Sequence, residues 1–304
     1  MTWGEIALSS SFTWFRTSLA MTGGVCQLQV KWYNCFQEER MIDEKVVENI
    51  KAYGTYRDNG EGRRRVLEDI GFRIGEKAEY VIIMGCLQPE TMPDVLRALK
   101  DLLEYLRIDY TLLAKEYCCG WMPFGQPAVM ARNEEEVARY KELSGEFLRE
   151  NFRQAEALGA KSIALFCAAC EPSYTNLAGA TSLEIISYSE LLERYFSGGR
   201  LEQEVDYYAG CYRFRRRVTT EPVDVEAAVR LLNRVQGLRV NQLDNKLCCY
   251  IPPHLEQLTG SLTTGNLITI CTGCYHNLRR SLQEKGDYQV RMLPEVLLEA
   301  VRGD

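Results

Sequence analysis

The sequence has no long apolar run, no excess of basic residues and only two histidines. No stretch reaches the roughly 18 uncharged apolar residues that cross a bilayer, so we expect no direct membrane span. Acidic residues outnumber basic ones, and the net charge of −6 argues against nucleic acid as a partner. A Gly-rich phosphate loop and a dinucleotide-binding fingerprint are both missing. We therefore expect no nucleotide or flavin site on this chain.

Cysteine, in contrast, is abundant, with 12 residues in a chain of 304. Disulfide frameworks are typical of small secreted domains that cannot build a core, whereas this chain is large and 46% hydrophobic. Its first 20 residues lack the basic region of an export signal. We therefore expect a cytoplasmic protein with reduced thiols, attached to a membrane only through partner subunits if at all. Its thiols then serve metal binding, catalysis or simple burial.

Short apolar runs alternate with helical periodicity from about residue 77 onward. The runs predict strands at 79–84, 109–113, 162–166, 183–188, 205–210, 238–243 and 266–270. The intervening periodic stretches predict helices, including one that contains Val225 and Val235. Strands that alternate with helices indicate βαβ units. We predict an α/β fold with two similar βαβ-containing halves, each with a small, mainly parallel sheet.

Composition divides the chain into four predicted segments. Residues 1–40 are Ser/Thr-rich and aperiodic, and we interpret them as a mistaken translation start or a flexible extension. Residues 41–76 are predicted to be a helical lead-in. Residues 77–198 and 199–304 are predicted to be two cysteine-rich domains, with the boundary in the Gly-rich gap 196–203.

Ten of the cysteines follow one scheme twice: a single Cys, then Cys-Cys, then Cys-x-x-Cys. The first set is Cys86, Cys118, Cys119, Cys167 and Cys170, and the second is Cys211, Cys248, Cys249, Cys271 and Cys274. Each cysteine group follows a predicted strand. Ligands of open α/β sheets bind beyond the carboxyl ends of the strands, so three loops in each half should bring five thiols together.

Three kinds of chemistry remain open for such a set. Structural zinc takes four ligands, which leaves one thiol of each set unexplained, but zinc in one half is an alternative. A thioredoxin-like redox pair accounts for Cys-x-x-Cys alone. Thiolates are also the usual ligands of iron–sulfur clusters, and adjacent cysteines can reach two irons of a larger cluster. The duplicated five-cysteine pattern favours iron–sulfur clusters.

The motifs also resemble a known family. They are MGC at 84–86, CCG at 118–120, FCAAC at 166–170, AGC at 209–211, LCC at 247–249 and CTGC at 271–274. This pattern resembles the duplicated cysteine-rich CCG domain of B-type heterodisulfide reductase proteins and their relatives, including cysteine-rich components of glycerol-3-phosphate and lactate oxidation systems. More weakly, residues 48–71 resemble the segment that leads into the first such domain in D-type heterodisulfide reductase proteins.

The resemblance implies a noncubane [4Fe-4S] cluster on each five-cysteine set, with the two halves related by a pseudo-two-fold axis. It implies a small-molecule disulfide as substrate, reduced to two thiols by one electron from each cluster. Because no ferredoxin-like Cys-x-x-Cys-x-x-Cys run is present, it implies a ferredoxin-like partner subunit, with a flavin-containing subunit as a further candidate. Two other functions stay open: an electron relay in a dehydrogenase complex that feeds quinones, and a zinc-stabilised scaffold without redox activity.

The second motif departs from the family because Tyr250 stands where glycine is usual. We therefore expect the second cluster to be altered, of another type, or shielded from substrate. Arg216 and Arg217 follow Cys211 and are candidates for binding an anionic group of a substrate, with a solvated surface as the alternative. His276, two residues past Cys274, is a candidate proton donor. His254 is interpreted as structural, and Cys26 and Cys35 as non-ligands.

Overall fold

The structure, a computed structural model, describes residues 42–57, 60–210, 224, 226–244 and 246–303. Residues 42–304 belong to one compact unit. It begins with two helices, α1 (Glu44–Tyr53) and α2 (Gly60–Ile70). The Asp43 side chain caps α1 by accepting a hydrogen bond from the Lys45 N–H, and Gly54, in a left-handed conformation, ends the helix.

The first sheet has four parallel strands in the order β2-β1-β3-β4. Its central strands, β1 (Tyr80–Ile83) and β3 (Ser162–Leu165), are buried throughout, as expected for a parallel sheet covered on both faces. The other elements of this half are α3 (Gln88–Thr91), α4 (Pro93–Tyr105), β2 (Tyr110–Thr111), a π-helical turn (Trp121–Gly125), α5 (Gln126–Ala131), α6 (Glu134–Ala157), α7 (Glu171–Asn176), β4 (Glu184–Ser187) and α8 (Tyr188–Tyr195).

The second sheet repeats this topology as β6-β5-β7-β8, again with all strands parallel. Its elements are β5 (Gly199–Tyr208), α9 (Ala227–Leu232), β6 (Val235–Gln242), α10 (Pro252–Gly260), β7 (Asn266–Thr269), α11 (Thr272–Leu282), β8 (Gln289–Met292) and α12 (Leu293–Arg302). In each sheet the order is second, first, third and fourth strand. The prediction of an α/β fold with two similar, parallel halves is confirmed.

One hydrophobic core is continuous through both halves. Helix α12 packs against α4 of the first half and against β5 of its own half, and its residues Leu293, Val296 and Leu297 are fully buried. The Tyr188 hydroxyl also donates to the Ile270 carbonyl, 3.4 Å away. The two sheets are therefore fixed to each other by shared apolar burial, which is the dominant favourable term in folding.

Two local predictions differ from the structure, and one strand was not predicted. The predicted gap at 196–203 is largely strand, because β5 begins at Gly199 and pairs with β6 from Val235 onward. Val235, predicted on a helix face, is the first residue of β6. Strand β8 was not predicted, since it is a half-exposed edge strand that carries Arg291 among its apolar residues. Within the described part of the chain, every helix is too short or too polar to span a bilayer.

Candidate functional site

The strand order places the cysteines at one edge of each sheet. In the first half, Cys86 follows β1, the pair Cys118 and Cys119 follows β2, and Cys167 with Cys170 follows β3. Strands β1 and β3 are adjacent, and the chain leaves them in opposite directions across the sheet. Such a switch point opens a crevice at the carboxyl ends of the strands. The sheet thus brings the loops together.

We call Cys86, Cys118, Cys119, Cys167 and Cys170 the first thiol group. The sulfurs of Cys118 and Cys86 are 3.4 Å apart, as are those of Cys119 and Cys170. These separations are well beyond the roughly 2 Å of a disulfide bond, and the nine cysteines that the structure describes are all reduced. Four members of the group are buried and Cys86 is partly exposed. The group is a compact set of reduced thiols.

Two glycines shape the loops of the first group. Gly85 has a φ of +88°, and a β-carbon there would lie 2.4 Å from Gln88 Oε1 and 2.7 Å from the Cys167 β-carbon. Gly120 has a φ of +72°, and a β-carbon would meet the Phe124 ring at 3.1 Å. Side chains other than glycine rarely adopt this region. The glycines of the MGC and CCG motifs are therefore required by backbone geometry.

A buried carboxylate supports the loop that carries Cys86. Glu116 accepts hydrogen bonds from the N–H groups of Met84 (3.0 Å) and Gly85 (2.7 Å). It also pairs with Arg63 of α2 at 2.9 Å, with both side chains almost fully buried. Burial raises the pKa of Glu116, against the opposing effect of Arg63. The lead-in helix thus supports the loop that positions the first thiol group.

We call Cys248, Cys249, Cys271 and Cys274 the second thiol group. The sulfurs of Cys249 and Cys274 are 3.4 Å apart, and the Asn277 amide donates to Cys249 Sγ at 3.7 Å. Cys271 is the N-cap of α11, so Cys274 lies in its first turn, near the positive end of the helix dipole. The fifth predicted member, Cys211, lies outside the described residues.

The motif Cys248-Cys249-Tyr250 forms a turn that needs no glycine. The Ile251 N–H bonds to the Cys248 carbonyl at 3.0 Å. Among the described non-glycine residues, those with positive φ are Arg107 and Arg132, so Tyr250 has an ordinary backbone conformation. The two Cys-Cys motifs therefore turn differently: through a left-handed glycine in the first half and through a conventional turn in the second.

Gln88 connects the two thiol groups. Its Nε2 donates to Cys167 Sγ at 3.1 Å and to Thr272 Oγ1 at 3.0 Å, and its Oε1 accepts from the Leu87 N–H at 3.1 Å. Thr272 directly follows Cys271. A second cross-contact joins Thr91 Oγ1 and His276 Nε2 at 3.2 Å. The two thiol groups consequently lie on either side of one hydrogen-bonded interface between the halves.

Aromatic and polar side chains surround the first thiol group. The Tyr140 hydroxyl bonds Ser173, and the Tyr174 hydroxyl accepts from Asn151 at 2.8 Å; all four residues are buried. Tyr56 approaches from the lead-in segment, and burial together with the thiols of Cys86 and Cys118 raises its pKa to about 12. The roles of these residues, and those of Gln88 and Glu116, could not be predicted from the sequence, because their contacts join distant parts of the chain.

The thiols of both groups lie close enough to change one another's pKa. Hydrogen bonds with neighbouring thiols, together with burial, raise the pKa of Cys118, Cys170 and Cys274. Hydrogen bonds with Cys118 and Cys170 lower that of Cys119. Several thiolates can lie this close only when positive charge compensates their repulsion, and iron or zinc supplies that charge. In the described part of the chain, no three His, Cys, Asp or Glu side chains surround a single-ion site.

The remaining predicted residues divide into described and undescribed ones. His276 is partly buried, and burial, with Arg279 nearby, lowers its pKa. Its role as a proton donor stays a prediction. His254 accepts a hydrogen bond from the Cys248 N–H at 3.2 Å, which is a structural contact. Arg216, Arg217, Cys26 and Cys35 lie outside the described residues.

Two aspartate racemase-type proteins are among the solved structures that the comparison matches to this chain. PH1733, an aspartate racemase homologue from Pyrococcus horikoshii OT3, has a TM-score of 0.31 and 15% identity over 75% of this chain and 96% of its own. Picrophilus torridus aspartate racemase has a TM-score of 0.33 and 10% identity over 75% of this chain and 92% of its own. TM-scores this low are not informative about the fold or function of the present chain.

No curated protein matches the chain. A family model does match part of it, and the matched segment begins at the first residue of β1 and ends in α7. That segment contains all five cysteines of the first thiol group. Residues 80–173 are thus similar to the CCG family, described as a cysteine-rich domain.

Proposed function

We propose that the chain is an iron–sulfur redox subunit whose two thiol groups each bind one [4Fe-4S] cluster. The observation that carries this proposal is the repetition of one arrangement. Two parallel sheets with the same strand order each present Cys-Cys and Cys-x-x-Cys loops at the carboxyl edge, and Gln88 joins the two edges. The CCG match over residues 80–173 supports the same assignment for the first group.

The ligands of the first cluster would be Cys86, Cys118, Cys119, Cys167 and Cys170. Those of the second would be Cys248, Cys249, Cys271 and Cys274, with Cys211 as the fifth. When bound, such clusters supply electrons one at a time, so two of them match a two-electron reduction. The chain itself contributes loop geometry through Gly85 and Gly120, and amide donors to sulfur through Gln88 and Asn277.

The geometry favours multi-iron clusters over zinc. Zinc requires four ligands around one ion. In the described residues, thiols of each group have more than one thiol neighbour: Cys119 has Cys118 and Cys170, and Cys274 has Cys249 and Cys271. The adjacent Cys118 and Cys119 contact each other, and each also contacts a further cysteine, Cys86 and Cys170 respectively. Ligands spread in this way suit a cluster with several metal atoms.

For the complete activity, we propose a heterodisulfide-reductase-like complex. A ferredoxin-type subunit would deliver two electrons in succession, and a disulfide would take up these electrons and two protons while its S–S bond breaks to give two thiols. A flavin-containing subunit is a further candidate partner. The family resemblance of the cysteine motifs supports this choice. A relay to a quinone-reducing partner differs from it in one measurable respect, because a relay releases no thiol from a disulfide.

Metal analysis of anaerobically purified protein tests the cluster assignment. We expect about eight iron atoms and as many acid-labile sulfides per chain, with an EPR signal that appears on oxidation. The double variant C119S/C170S should keep the second cluster alone, and C249S/C274S the first alone, so each should retain about half of the iron. Zinc without acid-labile sulfide in the wild-type protein would refute the redox assignment.

A reconstituted complex distinguishes the activity from the relay. With a ferredoxin-type partner and a chemical reductant, the wild-type chain should release two thiols per disulfide consumed, and each double variant should be inactive. Electron transfer to a quinone analogue without any thiol release would refute the disulfide substrate and leave the cluster assignment intact.

A further inference from the structure

Gln88 places an amide donor against a sulfur of the first thiol group. It is the first residue of α3, two residues after Cys86, and it is buried. Its Nε2 donates a hydrogen bond to Cys167 Sγ, 3.1 Å away. A β-carbon on Gly85 would lie 2.4 Å from Gln88 Oε1 and 2.7 Å from the Cys167 β-carbon. The glycine therefore leaves the space in which the amide and this cysteine meet.

The neighbouring hydrogen bonds fix which end of the amide faces the sulfur. Gln88 Oε1 accepts from the Leu87 N–H at 3.1 Å, and Nε2 also donates to Thr272 Oγ1 at 3.0 Å. If the amide were turned over, its NH₂ group would meet the Leu87 N–H, donor against donor, and its oxygen would face the sulfur. The Leu87 contact therefore keeps a donor directed at Cys167.

A side-chain amide donates to a sulfur in each thiol group, but over different distances. In the second group, Asn277 Nδ2 lies 3.7 Å from Cys249 Sγ, compared with 3.1 Å between Gln88 Nε2 and Cys167 Sγ. Because a hydrogen bond weakens with distance, Gln88 is the stronger of these two donors. Thr272 Oγ1 lies 4.0 Å from Cys167 Sγ, a distance at which a hydroxyl contributes little.

The bond from Gln88 acts on a sulfur that would bind the first cluster. Hydrogen bonds to the sulfurs of an iron–sulfur cluster are among the factors that set its reduction potential. Reduction adds negative charge to the cluster and its thiolate ligands, and a hydrogen bond to an ionised acceptor is about twice as strong as one between neutral groups. A donor therefore stabilises the reduced form more than the oxidised form, and burial strengthens this effect.

We propose that Gln88 is a positioning residue that, through its hydrogen bond to Cys167 Sγ, raises the reduction potential of the cluster in the first thiol group. This inference rests on the proposed function. Because Thr272 of the second half accepts the other N–H of the same amide, the donor lies at the interface between the halves. The first cluster consequently takes up an electron more readily than it would without the amide.

The test is an EPR-monitored redox titration of the full chain, purified anaerobically, in the C249S/C274S background, which retains the first cluster alone. Gln88→Met keeps the length of the side chain and removes the donor. We expect the midpoint potential to become more negative by about 59 mV, a tenfold change in the one-electron equilibrium. Thr272→Val is the matched control, because it breaks the other bond of the same amide and leaves the donor to Cys167 in place. It should leave the potential unchanged.

A second measurement detects the donor without relying on the loading of a variant. Nitrogen-15 in the side-chain amide of glutamine should give a nitrogen coupling in the pulsed EPR spectrum of the first cluster, because Gln88 Nε2 lies 3.1 Å from a ligand sulfur. The Q88M protein should lack this coupling, and T272V should keep it. Absence of the coupling in the C249S/C274S protein itself would overturn the inference, whether or not Q88M binds iron.

The remaining outcomes distinguish the inference from the proposed function. An unchanged or more positive potential in Q88M would overturn the inference, as would an equal shift in T272V, and the loaded first cluster would still stand. A Q88M protein that loses its iron while T272V keeps it would likewise overturn the inference, because the donor would then serve loading. A wild-type chain without iron and sulfide would overturn the proposed function itself.

Discussion

Gln88 Nε2 donates a hydrogen bond to Thr272 Oγ1, 3.0 Å away, across the interface between the two halves. The same Nε2 donates to Cys167 Sγ at 3.1 Å, and Gln88 is only 6% exposed. The amide oxygen is bonded as well, because Oε1 accepts a hydrogen bond from the Leu87 N–H. A buried amide with every bond satisfied fixes one relative arrangement of the groups that it contacts. The loops of the two thiol groups are therefore mechanically linked at this point.

A double-mutant cycle should measure that link. Gln88→Leu leaves the buried Thr272 hydroxyl without its donor, and Thr272→Val removes the acceptor, so each should lower the free energy of unfolding by roughly 1–3 kcal/mol. The double variant should lose less than the sum, with a coupling of about 0.5 kcal/mol or more. Urea unfolding of anaerobically purified protein gives these values. Thr272→Ser, which keeps the hydroxyl, is the control, and strictly additive losses would argue against the link.

Alanine substitutions at Gly85 and Gly159 should distinguish the cost of backbone strain in the folded protein from the cost of steric crowding. Both have positive φ, +88° and +77°, but a β-carbon at Gly159 would meet nothing within 4 Å, whereas one at Gly85 would collide with Gln88 and Cys167. Gly159→Ala should cost about 1–2 kcal/mol of unfolding free energy. Gly85→Ala should cost more and should also lower the iron content, because the loop of Cys86 must move. Equal losses of stability with unchanged iron would show that crowding at Gly85 is unimportant.

Asp206 should make stability depend on acid pH. Burial would raise its pKa, but hydrogen bonds from Asn241, Thr263 and Thr264 outweigh it and lower the pKa below 3.8. A carboxylate with a depressed folded-state pKa contributes stability that is present above the unfolded pKa. That contribution is lost as the pH falls through the folded pKa. Asp206→Asn should therefore cost about 1–3 kcal/mol at pH 7 and less at about pH 3.

Unfolding of both proteins at the two pH values checks this prediction. The surface variant Asp244→Asn is the control, since Asp244 is exposed and accepts a local hydrogen bond from the Lys246 N–H. If D206N and the wild type lost stability in parallel between pH 7 and pH 3, the hydrogen-bonded carboxylate would not be the source of the acid sensitivity.

The strands and the cysteine loops could be predicted because each depends on residues that are neighbours in the sequence. The buried run Tyr80–Ile83 is strongly apolar, and Cys86 follows within three residues. The rule that parallel strands present their carboxyl ends at one edge then brought those motifs together. Strand β8 was not predicted, because it is a half-exposed edge strand whose conformation depends on packing more than on sequence pattern.

The supports of the site could not be predicted, since each depends on contacts between residues far apart in the sequence. Glu116 and Arg63 are separated by 53 residues, and Gln88 and Thr272 by 184. Tyr250 is an intermediate case. Its departure from glycine is visible in the sequence, but the packing of its side chain beside Gly273 depends on the fold.

The buried pair of Arg63 and Glu116 should matter far more than its exposed neighbour on the same helix. Arg63→Met leaves the Glu116 carboxylate with backbone donors only, and breaking a buried pair in this way costs about 3–5 kcal/mol. Arg64→Met removes an exposed pair with Glu68 and should cost at most about 0.5 kcal/mol. Methionine is a good helix former, so neither change should disturb α2 itself.

Thermal or urea unfolding of the two variants measures this difference in stability. Iron analysis shows whether the loss of Arg63 also affects metal binding by the first thiol group. Because Glu116 holds the N–H groups of Met84 and Gly85, loss of Arg63 should also reduce iron bound by the first thiol group, whereas R64M should bind as much iron as the wild type. Equal stability of R63M and R64M would mean that the carboxylate is satisfied without Arg63. Full iron content in a destabilised R63M protein would mean that the lead-in helix stabilises the fold but does not position Cys86.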